Sequence, residues 1–212
     1  MKHSAEIERY IESHIDPQDD ILAELERETS LNVINPRMLS GHLQGSLLTM
    51  FSKMIRPVSV LEIGTYTGYS AICLAKGLQP GGKLITVEMN DELEPLARKY
   101  FNKAGLSEVI DMRIGNALQI LPQLEGPFDL VFMDADKRQY SEYFTQVIEK
   151  VVSGGWIIAD NILWDGKVAA NTGPADLQTR GILEFNAMVA ADSRVEKTIV
   201  PVRDGVMVIR KI

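Results

Sequence analysis

The sequence predicts an α/β fold built on a mostly parallel, doubly wound sheet. From Val58 onward, short apolar runs alternate with helical patterns, which is the order that places parallel strands side by side with helices between them. Two of the apolar runs, residues 130–133 and 156–159, end at acidic or amide residues, as buried strands do at a ligand-binding edge. Residues 195–210 form two strand-like runs around a tight turn, which requires one antiparallel strand at or near an edge of the sheet.

The chain has 212 residues, and we expect one domain, with a helical N-terminal segment over 1–56 and an α/β core over 57–212. Its hydrophobic content of 45% and charged content of 24% are ordinary for a globular protein. The net charge of -7 gives no electrostatic attraction to phosphates. It therefore argues against non-specific binding to nucleic acid or to an anionic membrane.

Several features of the sequence favour a cytoplasmic enzyme or binding protein. Cys73 is the single cysteine, which excludes an internal disulfide and suits a reducing compartment. No apolar run approaches the roughly 18 residues that a membrane-spanning helix needs. The first residues lead into a charged amphipathic stretch and not into a signal peptide.

Three helices are predicted before the first strand, and no strand is expected before residue 57. Apolar residues from Ile7 to Ile15 recur at helical spacing, and Pro17 ends this first helix. The second helix covers residues 19–29, and residues 32–36 form a break. The third helix runs from about residue 38 to 54 and has a wide apolar face. That face consists of Leu43, Leu47, Leu48, Met50, Phe51 and Met54.

The α/β core is predicted from the changes between strand and helix patterns. Strands are expected over residues 58–63, 84–88, 109–114, 128–133 and 156–159, and the closing hairpin over 195–202 and 206–210. A helix is expected after residues 64–70, ending near residue 78, and further helices are expected over about 91–104, 116–121, 140–151 and 176–191. Asp91 is predicted to cap its helix, Gly154 and Gly155 to form a turn, and residues 161–174 to form a loop.

An acid and a glycine loop follow the first predicted strand. Gly64 and Gly68 stand four residues apart, which departs from the three-glycine fingerprint of dinucleotide-binding proteins. Glu62 precedes the loop by two residues and would repel a phosphate. The loop therefore better suits a ligand that carries an ammonium or sulfonium group. The alternative is that the glycines only make a tight turn between strand and helix.

Glu88 ends the second predicted strand, about 20 residues after the glycine loop. In open α/β sheets, a carboxylate at this place accepts hydrogen bonds from the hydroxyls of a ribose. An acid at a strand end is also a common helix cap, but the spacing from the glycine loop favours ribose binding.

Four side chains are predicted to meet where the fourth and fifth strands end. Asp134 follows one strand, Asp160 and Asn161 follow the next, and Lys137 lies close by. If the strands are neighbours, three oxygen ligands and an amine share one rim, which is a site for a hard divalent ion and a base. Taken alone, Lys137 could be a solvated lysine at a helix start, and Asp136 is interpreted as a helix cap.

Three segments carry a resemblance to a known family. They are residues 61–70 (LEIGTYTGYS), residues 128–137 (FDLVFMDADK) with Tyr140, and residues 160–166 (DNILWDG). Together they resemble the cation-dependent small-molecule O-methyltransferases, the group of the catechol and caffeoyl-CoA O-methyltransferases and their bacterial relatives. The likeness covers about residues 36–212. It implies S-adenosylmethionine (SAM) as the methyl donor and a Rossmann-like, class I SAM-dependent methyltransferase sheet of seven mostly parallel strands with one antiparallel strand.

The resemblance also implies roles for individual residues. Glu62 and the glycine loop would face the methionine part of SAM, Glu88 would hold the ribose hydroxyls, and Met89 would lie along the adenine. The full donor-binding set that it implies is Met38, Glu62, Gly64, Thr65, Gly68, Tyr69, Ser70, Glu88, Met89, Asn116, Ala117 and Asp134.

The metal ligands implied by the resemblance are Asp134, Asp160 and Asn161, and the ion is Mg²⁺, with Ca²⁺ or Mn²⁺ as alternatives. Asp134 would also lie near the amino group of SAM, and Lys137 matches the general base of the family. Relatives form homodimers, so a homodimer is expected. The family usually has a Ser-Pro pair where this chain has Gly41-His42, at the entrance for the acceptor.

An O-methyltransferase for a small aromatic molecule with adjacent hydroxyls is the leading hypothesis. A free phenol has a pKa of about 10, and a bound divalent ion stabilises the anion that attacks the methyl group. The runner-up is methylation of a hydroxylated tRNA base of the 5-hydroxyuridine type, against which the acidic composition argues. A NAD-type dehydrogenase is disfavoured by the incomplete glycine fingerprint, and a catalytically silent binding protein is disfavoured because the chemical residues are all present.

Overall fold

A computed structural model of the chain describes residues 5–170 and 176–212. Its sheet has seven strands in the order β3-β2-β1-β4-β5-β7-β6. The strands are β1 (Ser59–Ile63), β2 (Lys83–Glu88), β3 (Ile110–Ile114), β4 (Phe128–Met133), β5 (Val151–Ala159), β6 (Val195–Val200) and β7 (Val206–Lys211). Strands β1 to β5 pair in parallel, whereas β7 is antiparallel to both β5 and β6. The predicted fold class, with a single antiparallel strand next to the edge, is confirmed.

Eight α-helices are found among the described residues. They are α1 (Ala5–Glu12), α2 (Asp20–Asn32), α3 (Gly41–Ile55), α4 (Tyr69–Ala75), α5 (Glu94–Lys103), α6 (Ala117–Ile120), α7 (Tyr140–Val147) and α8 (Leu177–Ala191). In the same part of the chain, no helix is long and apolar enough to cross a membrane. The predicted loop over 161–174 contains a pair of 3₁₀ turns at Trp164–Ala169, and its last residues lie outside the described part.

The sheet is buried on both faces, as a doubly wound sheet requires. Successive residues of a strand point to opposite faces, so Leu61 belongs to one core cluster and Val60 to the other. The first cluster packs under α7 and α8, where Phe144 and Phe185 are fully buried. The second packs under α2 to α5, where Tyr100 is fully buried. The N-terminal helices α2 and α3 are therefore part of the layer that covers the sheet.

Strand β5 begins earlier than predicted, and the predicted turn at Gly154-Gly155 is wrong. Val151 already pairs with Phe128, and the register shifts before the regular pairing with β4 resumes at Leu130. Gly154 has a φ of +81°, which a glycine adopts without the steric penalty of a Cβ atom. The two glycines thus form an irregularity inside one strand. Helix α7 ends at Val147, and a 3₁₀ turn at Ile148–Lys150 continues the helical segment to the start of β5, close to the predicted end.

The predicted cap of the fifth helix is also displaced by one residue. The Asn90 side chain, and not Asp91, accepts the hydrogen bond from the backbone amide of Glu92. Asp91 instead begins a 3₁₀ turn that leads into α5. Asn and Asp serve equally well at this position, so the pattern alone does not decide between neighbours.

Helix α3 buries part of the predicted face, with Leu48 buried and Phe51 packed against the core, but its core-facing side is rotated away from the two methionines. Met50 and Met54 are 49% and 78% exposed, whereas Gln44, Gly45 and Ser52 are buried. The physical reason is close packing on α4: a Cβ atom on Gly45 would lie 2.6 Å from the ring of Tyr69. Small and polar residues thus form the contact, and Gln44 faces the edge of the sheet where the candidate site lies.

Candidate active site

The carboxyl ends of the central strands open into a cleft of about 2210 Å³. The N-terminal segment and the loop after β5 complete its walls. Most of the residues predicted for the site line this cleft: Met38, Gly64, Thr65, Tyr69, Ser70, Glu88, Met89, Asn116, Ala117, Asp134, Lys137, Asp160 and Asn161. Two residues predicted to bind SAM, Glu62 and Gly68, are not among the described residues that line the cleft. They lie at the base and at the end of the glycine loop.

The glycine loop is held close to the end of β4. Gly64 has a φ of +100°, and a Cβ atom there would lie 2.2 Å from the carbonyl oxygen of Asp134. Gly68 has a φ of +93° and precedes α4, where a Cβ atom would lie 2.6 Å from the ring of Phe101. Both positions therefore need glycine, because of both backbone conformation and close approach. The loop brings its backbone to the same place as Asp134.

Glu62 lies beneath this loop and supports it. Its Oε2 accepts a hydrogen bond of 2.5 Å from the Thr86 hydroxyl, and the Thr65 and Thr86 hydroxyls are also 2.5 Å apart. Since Thr86 has one proton to donate, Thr65 donates to Thr86. Burial raises the pKa of Glu62 to about 8, and the nearby charges of Asp134 and Glu88 act in the same direction. The other oxygen, Oε1, lacks a hydrogen-bond partner among the described residues.

Glu88 is fixed at the end of β2 by two backbone amides. Its Oε2 accepts from Tyr66 at 2.7 Å, and its Oε1 accepts from Asn90 at 2.9 Å. Each carboxylate oxygen retains a lone pair, so the group can still accept hydrogen bonds from a diol in the cleft. On the next strand end, Asn116 caps α6 by accepting from the amide of Leu118 at 2.9 Å. Its side chain thus has a local structural role in addition to its place in the cleft lining.

Asp134 and Asp160 are neighbours, as the sequence predicts. Strands β4 and β5 pair Met133 with Ala159, and the amide of Asp160 donates to the carbonyl oxygen of Met133 at 3.0 Å. The two acids therefore follow adjacent strands at the same level. Burial raises the pKa of Asp160 to about 6, and the negative charge of Asp134 adds to this effect.

Lys137 is buried at this rim and is not a solvated lysine. Its Nζ donates to Asp134 Oδ1 at 2.6 Å and to the Tyr140 hydroxyl at 2.7 Å. The Tyr140 hydroxyl lies in turn 3.0 Å from the carbonyl oxygen of Met133 and 3.1 Å from that of Asp160. Tyr140 therefore connects the amine to both strand ends.

Asp136 has the structural role that the sequence predicts. It caps the 3₁₀ turn at Lys137–Gln139, with its Oδ1 accepting from the amide of Arg138 at 3.1 Å. Its side chain also pairs with the guanidinium of Arg138, which lowers the pKa of Asp136. The Asp136 carboxylate is thus already engaged by hydrogen bonds to Arg138. Asp134 is the acid of this segment that contacts Lys137.

The oxygen ligands available at the rim fit a hard divalent ion. No group of three or more His, Cys, Asp or Glu side chains suited to a metal occurs within residues 5–170 and 176–212, but this rim combines two carboxylates with the Asn161 amide. Carboxylate and amide oxygens are ligands that Mg²⁺ and Ca²⁺ accept. A cation between Asp134 and Asp160 would also relieve the repulsion that raises the pKa of Asp160. Asn161 adopts a left-handed backbone conformation with a φ of +57°.

Sequence reasoning missed two polar residues that complete the site. Gln44 donates from Nε2 to Asp160 Oδ2 at 2.5 Å, and Arg203 donates from Nη1 to Gln44 Oε1 at 3.0 Å. The one available signal was that Gln44 stands one helical turn before Leu48 on α3, a position that can face the core. Arg203 lies in the turn between β6 and β7 and gave no signal, since arginine is common in exposed turns.

Comparisons with known proteins identify the family. The sequence profile of a family described as O-methyltransferase matches residues 11–212. A catechol O-methyltransferase from Niastella koreensis is 37% identical over 200 residues, covering 91% of this chain and 88% of the relative. A caffeoyl-CoA O-methyltransferase from Eucalyptus globulus is 35% identical over 226 residues, covering 100% of this chain and 90% of the relative.

Solved structures of O-methyltransferases support the same family assignment. The O-methyltransferase TomG from Streptomyces achromogenes, solved in complex with SAM, superposes with a TM-score of 0.89 at 29% identity, covering 97% of this chain and 96% of that one. An O-methyltransferase from Bacillus cereus, solved with SAH, has a TM-score of 0.88 at 31% identity, covering 97% of both chains. The family match argues against the alternative of a dehydrogenase. The chain belongs to the O-methyltransferase family and is a SAM-dependent O-methyltransferase.

Proposed function

We propose that this enzyme transfers the methyl group of SAM to one of two adjacent hydroxyls on a small aromatic acceptor, with the help of a divalent metal ion. The observation that carries the proposal is the rim at which Asp134, Asp160 and Lys137 meet beside the glycine loop. It combines an oxygen-rich cation site with a buried amine in the cleft that the donor would occupy. Relatives named catechol and caffeoyl-CoA O-methyltransferases support this acceptor class.

The donor half of the cleft has the groups that SAM requires. Glu88 accepts hydrogen bonds from the ribose hydroxyls through the lone pairs that Tyr66 and Asn90 leave free. Met38 and Met89 expose apolar side chains at the cleft. Met89 would lie along the adenine, and Met38 would lie on the donor side of the cleft. The glycine loop brings its backbone near Asp134, where the carboxylate would face the amino group of the methionine part of SAM.

The acceptor half has the groups that an attacking oxygen requires. Asp134, Asp160 and Asn161 would hold the ion, which when bound stabilises the phenolate and orients two neighbouring oxygens. The acceptor hydroxyl gives its proton to Lys137 Nζ, which accepts it in the uncharged form. The oxygen then attacks the methyl carbon in line with the carbon–sulfur bond. A carbon–oxygen bond forms, the carbon–sulfur bond breaks, and S-adenosylhomocysteine (SAH) leaves with the electron pair on sulfur.

The position of Lys137 is suited to this transfer. Its Nζ contacts Asp134 and Tyr140, so the amine is held within hydrogen-bonding reach of the same carboxylate that would bind the ion. A base held at the metal site and an acceptor fixed in a near-attack pose are two separate contributions to rate.

A screen of acceptors tests the proposal directly. Purified protein would be incubated with methyl-labelled SAM and a panel of catechols, matched monophenols and total tRNA, each with Mg²⁺ or with a chelator. We expect labelling of catechols in the presence of Mg²⁺, little labelling of monophenols, and loss of turnover with chelator. Equal turnover with chelator would refute the metal dependence, and labelling of tRNA without labelling of catechols would refute the acceptor class.

A further inference from the structure

Gln44 is buried in α3 and bridges two charged groups that lie far apart in sequence. Its Nε2 donates to Asp160 Oδ2 at 2.5 Å, and its Oε1 accepts from Arg203 Nη1 at 3.0 Å. Gln44 and Asp160 are 1% and 2% exposed, so little water competes for these hydrogen bonds. Arg203 also donates from Nη1 to the carbonyl oxygen of Leu39 at 3.2 Å, which fixes the arginine on the N-terminal segment.

The chemistry of the three side chains permits one orientation of the Gln44 amide. Arginine is a hydrogen-bond donor without an acceptor, so only the amide oxygen of Gln44 can face Arg203. The amide nitrogen must then face Asp160, where it donates to the carboxylate. The arginine therefore determines which end of the glutamine meets the acid, and a rotation of the amide by 180° would lose both hydrogen bonds.

The Asp160 carboxylate is consequently held on both sides. Its Oδ1 accepts from the backbone amide of Asn161 at 2.7 Å, and its Oδ2 accepts from Gln44. Each oxygen keeps a further lone pair that can face the cleft. Hydrogen bonds of this kind fix the orientation of metal-binding carboxylates, and their loss commonly weakens metal affinity by about 10- to 100-fold.

We propose that Gln44 is a positioning residue that orients Asp160 for the divalent ion, with Arg203 fixing the orientation of the Gln44 amide. The inference rests on the metal-dependent function proposed above. It assigns to the helical N-terminal segment a part in cation binding, through a residue that contacts neither the ion nor the reacting atoms.

The test is metal affinity measured without acceptor turnover. Mn²⁺ binding would be followed by electron paramagnetic resonance and Mg²⁺ binding by calorimetry, for the wild type and for Gln44→Met, which keeps side-chain length but removes the amide. We expect Gln44→Met to bind either ion about 10- to 100-fold more weakly, while SAH affinity measured without metal stays within about twofold of the wild type.

Ser52→Ala is the matched control. Ser52 is buried on the same helix and donates to the carbonyl oxygen of Leu74 at 2.5 Å, away from Asp160. This variant removes one buried hydrogen bond of α3, so we expect a lower melting temperature with unchanged metal affinity. If Gln44 merely packs α3 on the core, the two variants will behave alike.

Arg203→Met gives a second variant with an exposed substitution site, in case Gln44→Met does not fold. We expect it to weaken metal binding less than Gln44→Met, since the amide loses its constraint but keeps its donor. Unchanged metal affinity in both folded variants, with a wild type that binds metal, would overturn this inference alone. A wild type that binds neither ion would overturn the proposed metal dependence together with it.

Discussion

At the scale of single residues, the Tyr140 hydroxyl holds Lys137 in place. It accepts from Lys137 Nζ at 2.7 Å and lies within 3.1 Å of two strand-end carbonyl oxygens. The hydroxyl has one proton and two candidate acceptors. Removing it leaves Lys137 Nζ with Asp134 as its remaining partner and takes one hydrogen bond from a strand-end carbonyl. Each lost hydrogen bond costs about 0.5–1.5 kcal/mol.

We therefore expect Tyr140→Phe to lower kcat by about tenfold or more, because the base is no longer held in position. The KM for SAM should stay nearly constant, since Tyr140 is not part of the donor half. Steady-state kinetics of both substrates would measure this. Tyr143→Phe is the control, because the Tyr143 hydroxyl donates to the Gln139 side chain and not to the strand-end carbonyls that hold Tyr140. A loss of kcat that is equal in both variants would contradict the role of Tyr140.

The raised pKa of Glu62 predicts that the stability of the protein depends on pH. Its pKa is about 8 in the folded protein, above the ordinary value of 4.5. Between these two pH values the folded state binds a proton that the unfolded state has lost, so the contribution of Glu62 to the free energy of unfolding falls as pH rises. Above pH 8 the carboxyl is ionised in both states, and this contribution stays low.

Glu62→Gln should reduce the decrease in the free energy of unfolding with rising pH, because glutamine does not titrate. Urea unfolding of the wild type and the variant at intervals from pH 5 to pH 9 would measure it. We expect the stability difference between the two proteins to change by on the order of 4 kcal/mol across the range, in favour of the variant at high pH. Parallel stability curves would show that Glu62 does not carry the effect.

At the scale of secondary-structure elements, the turn between β6 and β7 supports the loop that follows Asp160. The carbonyl oxygens of Asp204 and Gly205 accept from the amides of Leu163 and Ile162 at 2.9 and 3.1 Å. A Cβ atom on Gly205 would lie 2.4 Å from Leu163 Cγ. The hairpin and this loop are thus in direct contact, with no space for a larger residue.

Gly205→Ala should therefore displace this loop and lower both metal affinity and melting temperature. Gly81→Ala is a suitable control, because Gly81 also has a φ near +80° but a Cβ atom there would meet nothing within 4 Å. The control should lose only about 1 kcal/mol of stability from backbone strain. Differential scanning calorimetry and Mn²⁺ titration of both variants would separate the steric effect from the conformational one.

The elements also show which parts of the site a sequence can predict. Asp134, Asp160 and Lys137 meet as expected, since adjacent parallel strands end at one edge and the strands themselves are clear in the pattern. The burial of α3 was not predictable in the same way. Its core-facing side is set by the close approach of α4 at Gly45, and helical periodicity alone favoured the more apolar side.

At the scale of the whole molecule, the mostly parallel sheet and its one antiparallel strand follow from the alternating patterns and the closing hairpin, and the number of seven strands follows from the resemblance to the family. The contact between Gln44 and Arg203 could not be predicted from the sequence, because it joins a helix to a hairpin turn across 159 residues and depends on the packing of both. Assembly as a homodimer and location in the cytoplasm stay predictions. The first is measured by sedimentation velocity, and the second by fractionation of cells.

Ligand binding should stabilise the molecule as a whole. A ligand at 100 times its Kd adds about 2.7 kcal/mol to the free energy of unfolding. For a chain of this size, each kcal/mol raises the melting temperature by about 2–4 °C. We expect SAM or SAH at that excess to raise it by about 5–10 °C, and NAD at the same concentration to have no effect. Equal shifts with NAD and SAM would contradict the donor assignment.

The long-range hydrogen bonds of Gln44 have a kinetic consequence. They join positions that are 116 and 159 residues apart, so large loops must close before either bond can form. Closing such loops costs entropy, which is recovered only once the sheet has brought the segments together. The cation site should therefore mature late during folding. In stopped-flow refolding, Mn²⁺ binding should appear after most of the far-ultraviolet circular dichroism has returned.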